Sequence, residues 1–249
     1  MEDGFKKVLL VGINYSGDPY KVLRGCIRDI FKLLKKLNDV YPKHNHATYK
    51  IITDRILDDV ANPSRENILE GLKWLVSDLQ PGDSVYFHYS GHGEMDAGRF
   101  RLLCFYNKKI EYIYCDELRK FLVDKIPADC RCFVTFDCCH SGNPLGLRYH
   151  YDVSGNMDIN TTGLDSDGLV VYFGASGENE VAADTYGQRH LLQFGGTMMN
   201  SFMDAFTKDI TIKNLFWGIC DSIKKWNYRQ NPQLYSSRPI NIEQCFLSL

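Results

Sequence analysis

Two short stretches of the sequence place chemically reactive residues directly after β-prone runs. The apolar run 133–136 leads into Asp-Cys-Cys-His-Ser-Gly at 137–142, and the run 85–89 leads into Ser-Gly-His-Gly at 90–93. Burying an acid, thiols and imidazoles at a strand end costs free energy unless these groups have partners. Because open α/β sheets place their ligands at the carboxyl ends of the strands, we expect the two stretches to meet at one edge.

The chemistry that these residue types allow is nucleophilic attack by a thiolate. A cysteine needs a base, or a lowered pKa, to be present as thiolate, and histidine supplies a base in the physiological pH range. The sequence therefore predicts Cys139 as the nucleophile and His92 as its base. Glycines beside both residues allow sharp turns, and the backbone amides of Gly93 and Cys139 could form an oxyanion hole.

Two other interpretations of the same residues stay open. One is a regulatory or binding domain without catalytic activity, against which the presence of both dyad residues argues. The other is a metal-binding protein, although adjacent cysteines project to opposite faces of a continuing strand and share a metal poorly. The ligands of such a metal site would be His88, His92, Cys138, Cys139 and His140.

Composition narrows the class of protein. The chain has 249 residues, of which 44% are hydrophobic, and a formal net charge of -2, which favours neither nucleic acid nor a polybasic membrane contact. No apolar run approaches the roughly 20 residues of a membrane helix, and the N-terminus does not resemble a signal peptide. The nine cysteines are odd in number and irregularly spaced, which is typical of a reducing compartment, so we expect a cytoplasmic protein.

The hydrophobic pattern alternates between strand and helix along the chain, which predicts an α/β fold with a mostly parallel sheet and helices on both faces. Residues 143–167 are rich in turn residues and predict a long, mobile surface loop. The predicted strands are 7–13, 47–52, 85–89, short ones within 99–114, 132–137, 168–174 and an edge strand at 240–246; the predicted helices are 23–37, 62–79, 115–125, 196–208 and 211–228.

The two stretches resemble the paired signatures of the metacaspases, in the caspase-like clan of cysteine peptidases. Their separation is near the roughly 50 residues known for caspases, and segments 11–15, 23–26, 80–84 and 237–240 are also similar to metacaspase sequence. The resemblance implies a caspase-like three-layer sandwich formed by one peptidase domain over 1–249. Residues 1–142 would form a larger-subunit-like region, residues 143–167 a linker loop and residues 168–249 a smaller-subunit-like region.

The resemblance also implies a cysteine endopeptidase that acts on polypeptides after Arg or Lys. Cys139 matches the family nucleophile and His92 its base, which leaves Cys138 dispensable. A basic P1 side chain needs a carboxylate partner. The positions that match the family's S1 pocket are Cys26, Asp29, Ser90 and Asp137, in which the two acids would supply the charge.

The sequence departs from the family at the calcium site. Many metacaspases hold calcium with an acid-rich insert after the catalytic histidine and a later acid, whereas here only Glu94 and Asp96 follow Gly93, and Gly146 stands in place of the later acid. Calcium prefers six to eight oxygen ligands, so we expect no metal cofactor and activity without calcium. Four further acids match no calcium loop: Asp152, Asp158, Asp165 and Asp167.

Three further expectations follow from the resemblance. Arg148 lies in the linker, where family members often separate two fragments, and is a candidate self-cleavage site. The first strand begins near residue 7, so we expect a compact form without a prodomain. Metacaspases are generally monomeric, so we expect a monomer with no nucleic-acid or membrane partner.

Overall fold

The computed structural model describes residues 4–41, 48–55, 61–177, 196–228 and 230–248. Two sheets contain all the strands within these ranges. The strands, in chain order, are β1 Lys7–Gly12, β2 Thr48–Thr53, β3 Ser84–Ser90, β4 Gly93–Asp96, β5 Arg99–Tyr106, β6 Lys109–Tyr114, β7 Arg131–Asp137, β8 Tyr149–Tyr151, β9 Met157–Ile159, β10 Leu169–Gly174 and β11 Gln233–Ser236.

The larger sheet has eight strands in the order β2-β1-β3-β7-β10-β11-β8-β9. The first five are parallel, and β11, β8 and β9 add in antiparallel fashion. Strands β1 and β3 are buried along their whole length, as the near-continuous apolar runs predicted. The parallel strands therefore end at one common edge, which carries the two reactive stretches.

Five α-helices of the described ranges cover the larger sheet. They are α1 Cys26–Val40, α2 Arg65–Val76, α3 Cys115–Phe121, α4 Thr197–Ala205 and α5 Ile212–Lys225; short 3-10 helices occupy Val123–Lys125 and Phe246–Ser248. Ser64 caps the N-terminus of α2, because its side chain accepts a hydrogen bond from Asn67 N. No helix in the described ranges is both long and apolar enough to cross a lipid bilayer.

Alternate residues along the central strands point to two separate cores. Helices α1, α4 and α5 pack on one face with Val8, Leu10 and Phe133, and we call this the α1 face. Helices α2 and α3, together with the small antiparallel sheet β4-β5-β6, pack on the other face, which we call the α2 face. The predicted layered α/β architecture is confirmed.

Two predicted segments differ from the observed ones. The loop predicted over 143–167 contains β8 and β9, which extend the sheet beyond β11. These strands have three residues each, too few for a periodic pattern to show in the sequence. The strand predicted at 240–246 is wrong, because carbonyls of Ile242 and Gln244 accept hydrogen bonds from the first turn of α5 and the last strand is β11 instead.

Candidate active site

His92 lies in the turn that joins the carboxyl end of β3 to β4, and Tyr15 contacts both its backbone and its ring. The Tyr15 hydroxyl accepts a hydrogen bond from His92 N at 2.9 Å, and the two ring centroids are 4.6 Å apart. Tyr15 is fully buried and has a positive φ of 55°, a backbone conformation that non-glycine residues rarely adopt. Such conformations concentrate at functional sites, where the surrounding contacts hold them.

The tyrosine pair beneath His92 is a closed polar network. The hydroxyls of Tyr15 and Tyr89 are 3.1 Å apart, and each lies 2.9 Å from the Leu103 carbonyl oxygen. Burial raises the pKa of both tyrosines well above its usual value, so both stay protonated and can donate. The backbone at His92 is therefore held by hydrogen bonds to uncharged tyrosine side chains.

The imidazole ring of His92 is oriented by a main-chain carbonyl. Its Nε2 lies 2.7 Å from the carbonyl oxygen of Lys21, in the loop that follows β1. A carbonyl can only accept, so this contact assigns the ring proton of the neutral imidazole to Nε2. Nδ1 is then the basic nitrogen, which is the atom that a general base needs.

The two adjacent cysteines have opposite environments. Cys138 is 2% exposed and packs in the core of the α2 face, where burial raises the pKa of its thiol well above the ordinary value. Cys139 is half-buried and lies in the turn after β7. The next residue, His140, has a positive φ of 57°, so the chain turns sharply just after Cys139. A deeply buried thiol is inert, which leaves Cys139 as the accessible one.

A close backbone contact joins the two predicted signatures. A Cβ atom added to Gly93 would lie 2.4 Å from the Cys139 carbonyl oxygen and 3.0 Å from Cys138 Sγ. Only glycine therefore allows the β3–β4 turn to pack directly against the turn after β7. The residues of the predicted dyad and the two amides of the predicted oxyanion hole are thus brought to one place.

The structure also brings together the four residues predicted for the S1 pocket. Ser90 and Asp137 are register partners on β3 and β7, and Ser90 pairs on its other side with Gly12 of β1. The Cys26 carbonyl oxygen lies 2.7 Å from the position of a Cβ on Gly12, and Asp29 follows in the first turn of α1. Asp29 and Asp137 are buried, at 0% and 6% exposure.

The sequence predicted a helix at 196–208, but not that its start contacts these two acids. At the start of α4, Gly196 N donates to Asp29 Oδ2 at 2.7 Å and Met199 N donates to Asp137 Oδ2 at 2.8 Å. A Cβ on Gly196 would lie 2.0 Å from Asp137 Oδ2. The signal available in the sequence was the glycine directly before an apolar helix, because glycine allows another group to approach the backbone closely.

The alternative of a shared metal site receives no geometric support. His88 lies on the α1 face of β3, where its Nδ1 is 2.8 Å from Thr135 Oγ1, whereas Cys138 packs on the α2 face. The sheet therefore separates these two candidate ligands. Within the described ranges, no three residues among His, Cys, Asp and Glu cluster closely enough to hold a metal ion.

The acids near the expected calcium position bind side-chain cations. Glu94 forms an ion pair with Lys21 and another with Arg101 at 3.2 Å, and Asp96 pairs with Arg101 at 2.8 Å. Of the loop acids, Asp152 accepts hydrogen bonds within its own turn, and Asp165 pairs with Arg148 at 3.2 Å. Asp167 lines a surface cavity of about 640 Å³ with Arg238, and Asp158 lies on the exposed strand β9.

Arg148, the candidate self-cleavage site, is not brought near the dyad. It precedes β8, and its guanidinium contacts the Gly163 carbonyl and Asp165. Through β11, the first residue of β8 aligns with Val171, near the start of β10, whereas the turns that carry His92 and Cys139 lie at the other end of the parallel strands, by Gly174. Arg148 therefore lies towards the opposite edge of the sheet.

The amino-acid sequence of this chain is similar to those of metacaspases. The family profile described as metacaspase, peptidase C14 domain, matches residues 6–148. Metacaspase-5 of Trypanosoma cruzi is 31% identical over an alignment of 268 positions, which covers 98% of this chain and 60% of that protein. Metacaspase-1 of Schizosaccharomyces pombe is 36% identical over 161 positions, covering 61% of this chain and 37% of that protein.

Solved structures agree with the fold. A crystal structure of a Geobacter sulfurreducens protein matches with a TM-score of 0.68 and 17% identity, covering 97% of this chain and 98% of that one. The Drosophila initiator caspase Dronc matches with a TM-score of 0.57 and 12% identity, covering 97% of this chain and 82% of that one. The predicted caspase-like fold is confirmed.

This chain spans about 60% of the length of the Trypanosoma cruzi relative. The profile match includes both signature stretches, whose contact at Gly93 and Cys139 the structure describes. The chain belongs to the metacaspase family of caspase-like cysteine peptidases.

Proposed function

We propose that this protein is a cysteine endopeptidase that cleaves polypeptides after Arg or Lys by means of Cys139 and His92. The observation that carries the proposal is the packing of the Gly93 turn against the Cys139 carbonyl. It brings the backbone of Cys139, whose side chain is half-buried, against the residue that follows His92, and the His92 ring is oriented by the Lys21 carbonyl. A nucleophile, a base and a group that orients the base are the components that covalent catalysis requires.

The proposed reaction begins with transfer of the Cys139 thiol proton to His92 Nδ1. The thiolate attacks the P1 carbonyl carbon, and the amides of Gly93 and Cys139 stabilise the negative oxygen. His92 then donates its Nδ1 proton to the leaving amine as the C–N bond breaks, which leaves an acyl-enzyme. Water, activated by His92, hydrolyses the thioester and restores the thiol. Throughout, Nε2–H keeps its acceptor in the Lys21 carbonyl.

Two buried carboxylates support the preference for a basic P1 residue. Asp29 accepts the backbone N–H of Gly196, and Asp137 accepts that of Met199, at the start of α4. A carboxylate oxygen can accept more than one hydrogen bond, so an N–H contact leaves acceptor capacity for a guanidinium or ammonium. An Asp at P1 would instead be repelled by two like charges, which separates this site from one that cleaves after Asp.

We propose further that activity does not require calcium. Glu94 and Asp96, the two acids that follow Gly93, already lie against the side-chain cations of Lys21 and Arg101. A calcium ion would have to displace both cations and still find several more oxygen ligands. Lys21 and Arg101 compensate the negative charge of these two acids, which a bound metal ion would otherwise do.

The test is hydrolysis of matched fluorogenic peptides that end in Arg, Lys or Asp, in chelator and then in calcium. We expect cleavage after Arg and Lys in chelator, with no gain from calcium. Cys139→Ala should remove the activity, whereas Cys138→Ala, a matched loss of the neighbouring buried thiol, should retain it to within about threefold.

Each contrary outcome identifies the component of the proposal that fails. Activity only in calcium would refute calcium independence, and cleavage after Asp would refute the S1 assignment. Activity that survives Cys139→Ala would exclude the dyad. A folded protein that cleaves none of the peptides would support the alternative of a catalytically silent regulatory domain.

A further inference from the structure

Lys21 contacts the catalytic region through two different groups. Its main-chain carbonyl oxygen lies 2.7 Å from His92 Nε2, and its side-chain ammonium forms an ion pair with Glu94. His92 and Glu94 flank Gly93, the residue that packs against Cys139. A single loop residue thus contacts the chain on both sides of Gly93.

The Glu94 end of this connection is rigid. Glu94 lies on β4 in the small antiparallel sheet, and Arg101 on β5 donates to its other carboxylate oxygen at 3.2 Å. The Arg101 guanidinium also stacks 3.7 Å from the ring centroid of Tyr112 on β6. Partial burial opposes the charged form of Glu94, but the hydrogen bonds and charges of Lys21 and Arg101 lower its pKa overall. The carboxylate is therefore an ionised, fixed anchor near neutral pH.

Short-range backbone contacts also hold the loop around Lys21. Asp18 Oδ1 accepts hydrogen bonds from the backbone N–H groups of Tyr20 and Lys21, at 2.9 and 3.1 Å. Leu23 N donates to the Asn14 carbonyl at 2.8 Å. Tyr20 and Val22, on either side of Lys21, are 94% and 49% exposed, so neither is packed in a core. The Lys21 side chain adds an ion pair that links this loop to Glu94 of the small sheet.

We infer that Lys21 is a positioning residue for His92, and that its ion pair with Glu94 keeps the loop carbonyl aligned with the imidazole. This inference rests on the proposed His92–Cys139 chemistry. When His92 accepts the thiol proton, the imidazolium charge is stabilised by the carbonyl on Nε2. Without the ion pair the loop shifts, that hydrogen bond lengthens, and the imidazolium is less stable.

The experiment compares Lys21→Met with the wild-type chain. The substitution keeps the aliphatic stem and the backbone carbonyl but removes the ammonium group. We expect kcat/KM on Arg peptides to fall about tenfold through kcat. The limb of the pH profile that reports on His92 should move to lower pH, because the less stable imidazolium loses its proton at lower pH.

Two further variants separate positioning from a general effect of charge or stability. Lys21→Arg can still pair with Glu94, so it should restore both the rate and the pH profile. Lys35→Met removes the exposed Lys35–Asp39 pair of α1, a lysine–acid pair of the same kind away from His92, and should leave both unchanged. The pH dependence of Cys139 alkylation by iodoacetamide gives a readout that needs no substrate.

The inference is overturned if Lys21→Met has the wild-type pH profile in both assays, whatever happens to its stability. Its failure can be told apart from failure of the proposed function. If the wild-type chain cleaves no peptide, the proposed function fails. The alkylation profiles of the wild type and Lys21→Met, measured on folded protein, still decide whether Lys21 positions His92.

Discussion

At the scale of single residues, His88 has the most unusual environment of the described histidines. It is fully buried on β3, in the layer beneath Ser90 and Asp137 on the α1 face. Its Nδ1 lies 2.8 Å from Thr135 Oγ1, which also contacts the Tyr86 hydroxyl, and Nε2 has no hydrogen-bond partner within the described ranges of the chain. Burial lowers the pKa of His88 to about 3, with the Thr135 contact opposing that shift. His88 is therefore a neutral imidazole at physiological pH.

We predict that His88 makes the fold sensitive to mild acid. Its pKa is about 6.5 in the unfolded chain and about 3 in the folded protein, so below pH 6.5 only the unfolded chain binds the proton. The free energy of unfolding should then fall by up to about 1.4 kcal/mol per pH unit down to about pH 3. His88→Gln should remove this contribution, measured as the difference in urea unfolding between pH 7 and pH 4.

The control for His88 is His150→Gln. His150 is half-buried and stacks on Tyr235, with ring centroids 4.5 Å apart. This substitution should leave the pH dependence of the wild type in place. If His88→Gln loses as much stability between pH 7 and pH 4 as the wild type does, the acid sensitivity has another source and the assignment to His88 is wrong.

Residue types and spacing pointed to Cys139, His92, Asp29 and Asp137, because the proposed chemistry depends on their side chains. The groups that position them were not predictable in the same way. Lys21 acts on His92 through a carbonyl, and Gly196 acts on Asp29 through an amide, and both groups are backbone atoms that do not depend on the side chain. A sequence shows which side chain stands at a position but not where a loop brings a backbone atom.

At the scale of elements, the start of α4 is the portion of the fold that completes the site. Its backbone amides donate to Asp29 on α1 and to Asp137 at the end of β7. The positive end of the helix dipole and these N–H groups favour the ionised form of a carboxylate. One helix start thus joins two acids that are 108 positions apart in the sequence.

We predict that Gly196→Ala disrupts the S1 acids. The added Cβ would lie 2.0 Å from Asp137 Oδ2, so either the carboxylate or the start of α4 must move. We expect kcat/KM on Arg peptides to fall at least tenfold and the free energy of unfolding to fall by about 1–3 kcal/mol. Steady-state kinetics and urea unfolding measure the two effects.

Gly218→Ala is the matched control for this prediction. Gly218 lies inside α5, and its added Cβ would meet only the Ala205 Cβ at 3.1 Å, away from both acids. Its kinetics on Arg peptides should equal those of the wild type. Unchanged kinetics in Gly196→Ala would show that the acids tolerate movement of α4 and do not depend on its position.

The elements differ in how well the sequence predicts them. Long periodic segments such as α1 and the buried strand β3 were predicted, because burial imposes a pattern on every residue of them. Strands β8 and β9 were not, because three residues on a sheet edge are ordered by their neighbours β11 and β8 and not by their own composition. Residues 240–246 were mistaken for a strand because their apolar side chains pack in the same core as α5.

At the scale of the whole molecule, the sheet separates the candidate active site from the candidate self-cleavage site. Cys139 follows the carboxyl end of β7, and Arg148 lies three strands away, before β8, towards the opposite edge. Strand spacing and rise place the two residues on the order of 20 Å apart. An extended peptide bond at Arg148 cannot reach Cys139 of the same molecule while β8 remains in the sheet.

Cleavage after Arg148 should therefore occur between molecules and should require β8 to open. The initial rate per molecule should rise in proportion to enzyme concentration.

Asp165→Asn removes the charge that pairs with Arg148, so it should make the bond after Arg148 a faster substrate. The assay uses the Cys139→Ala variant of each chain as substrate and adds wild-type enzyme to cleave it. Asp158→Asn, on the exposed strand β9, is the matched control and should leave the rate unchanged. Electrophoresis and mass spectrometry of the fragments identify the bond, and a rate per molecule that is independent of concentration would show that the chain can fold back on its own dyad.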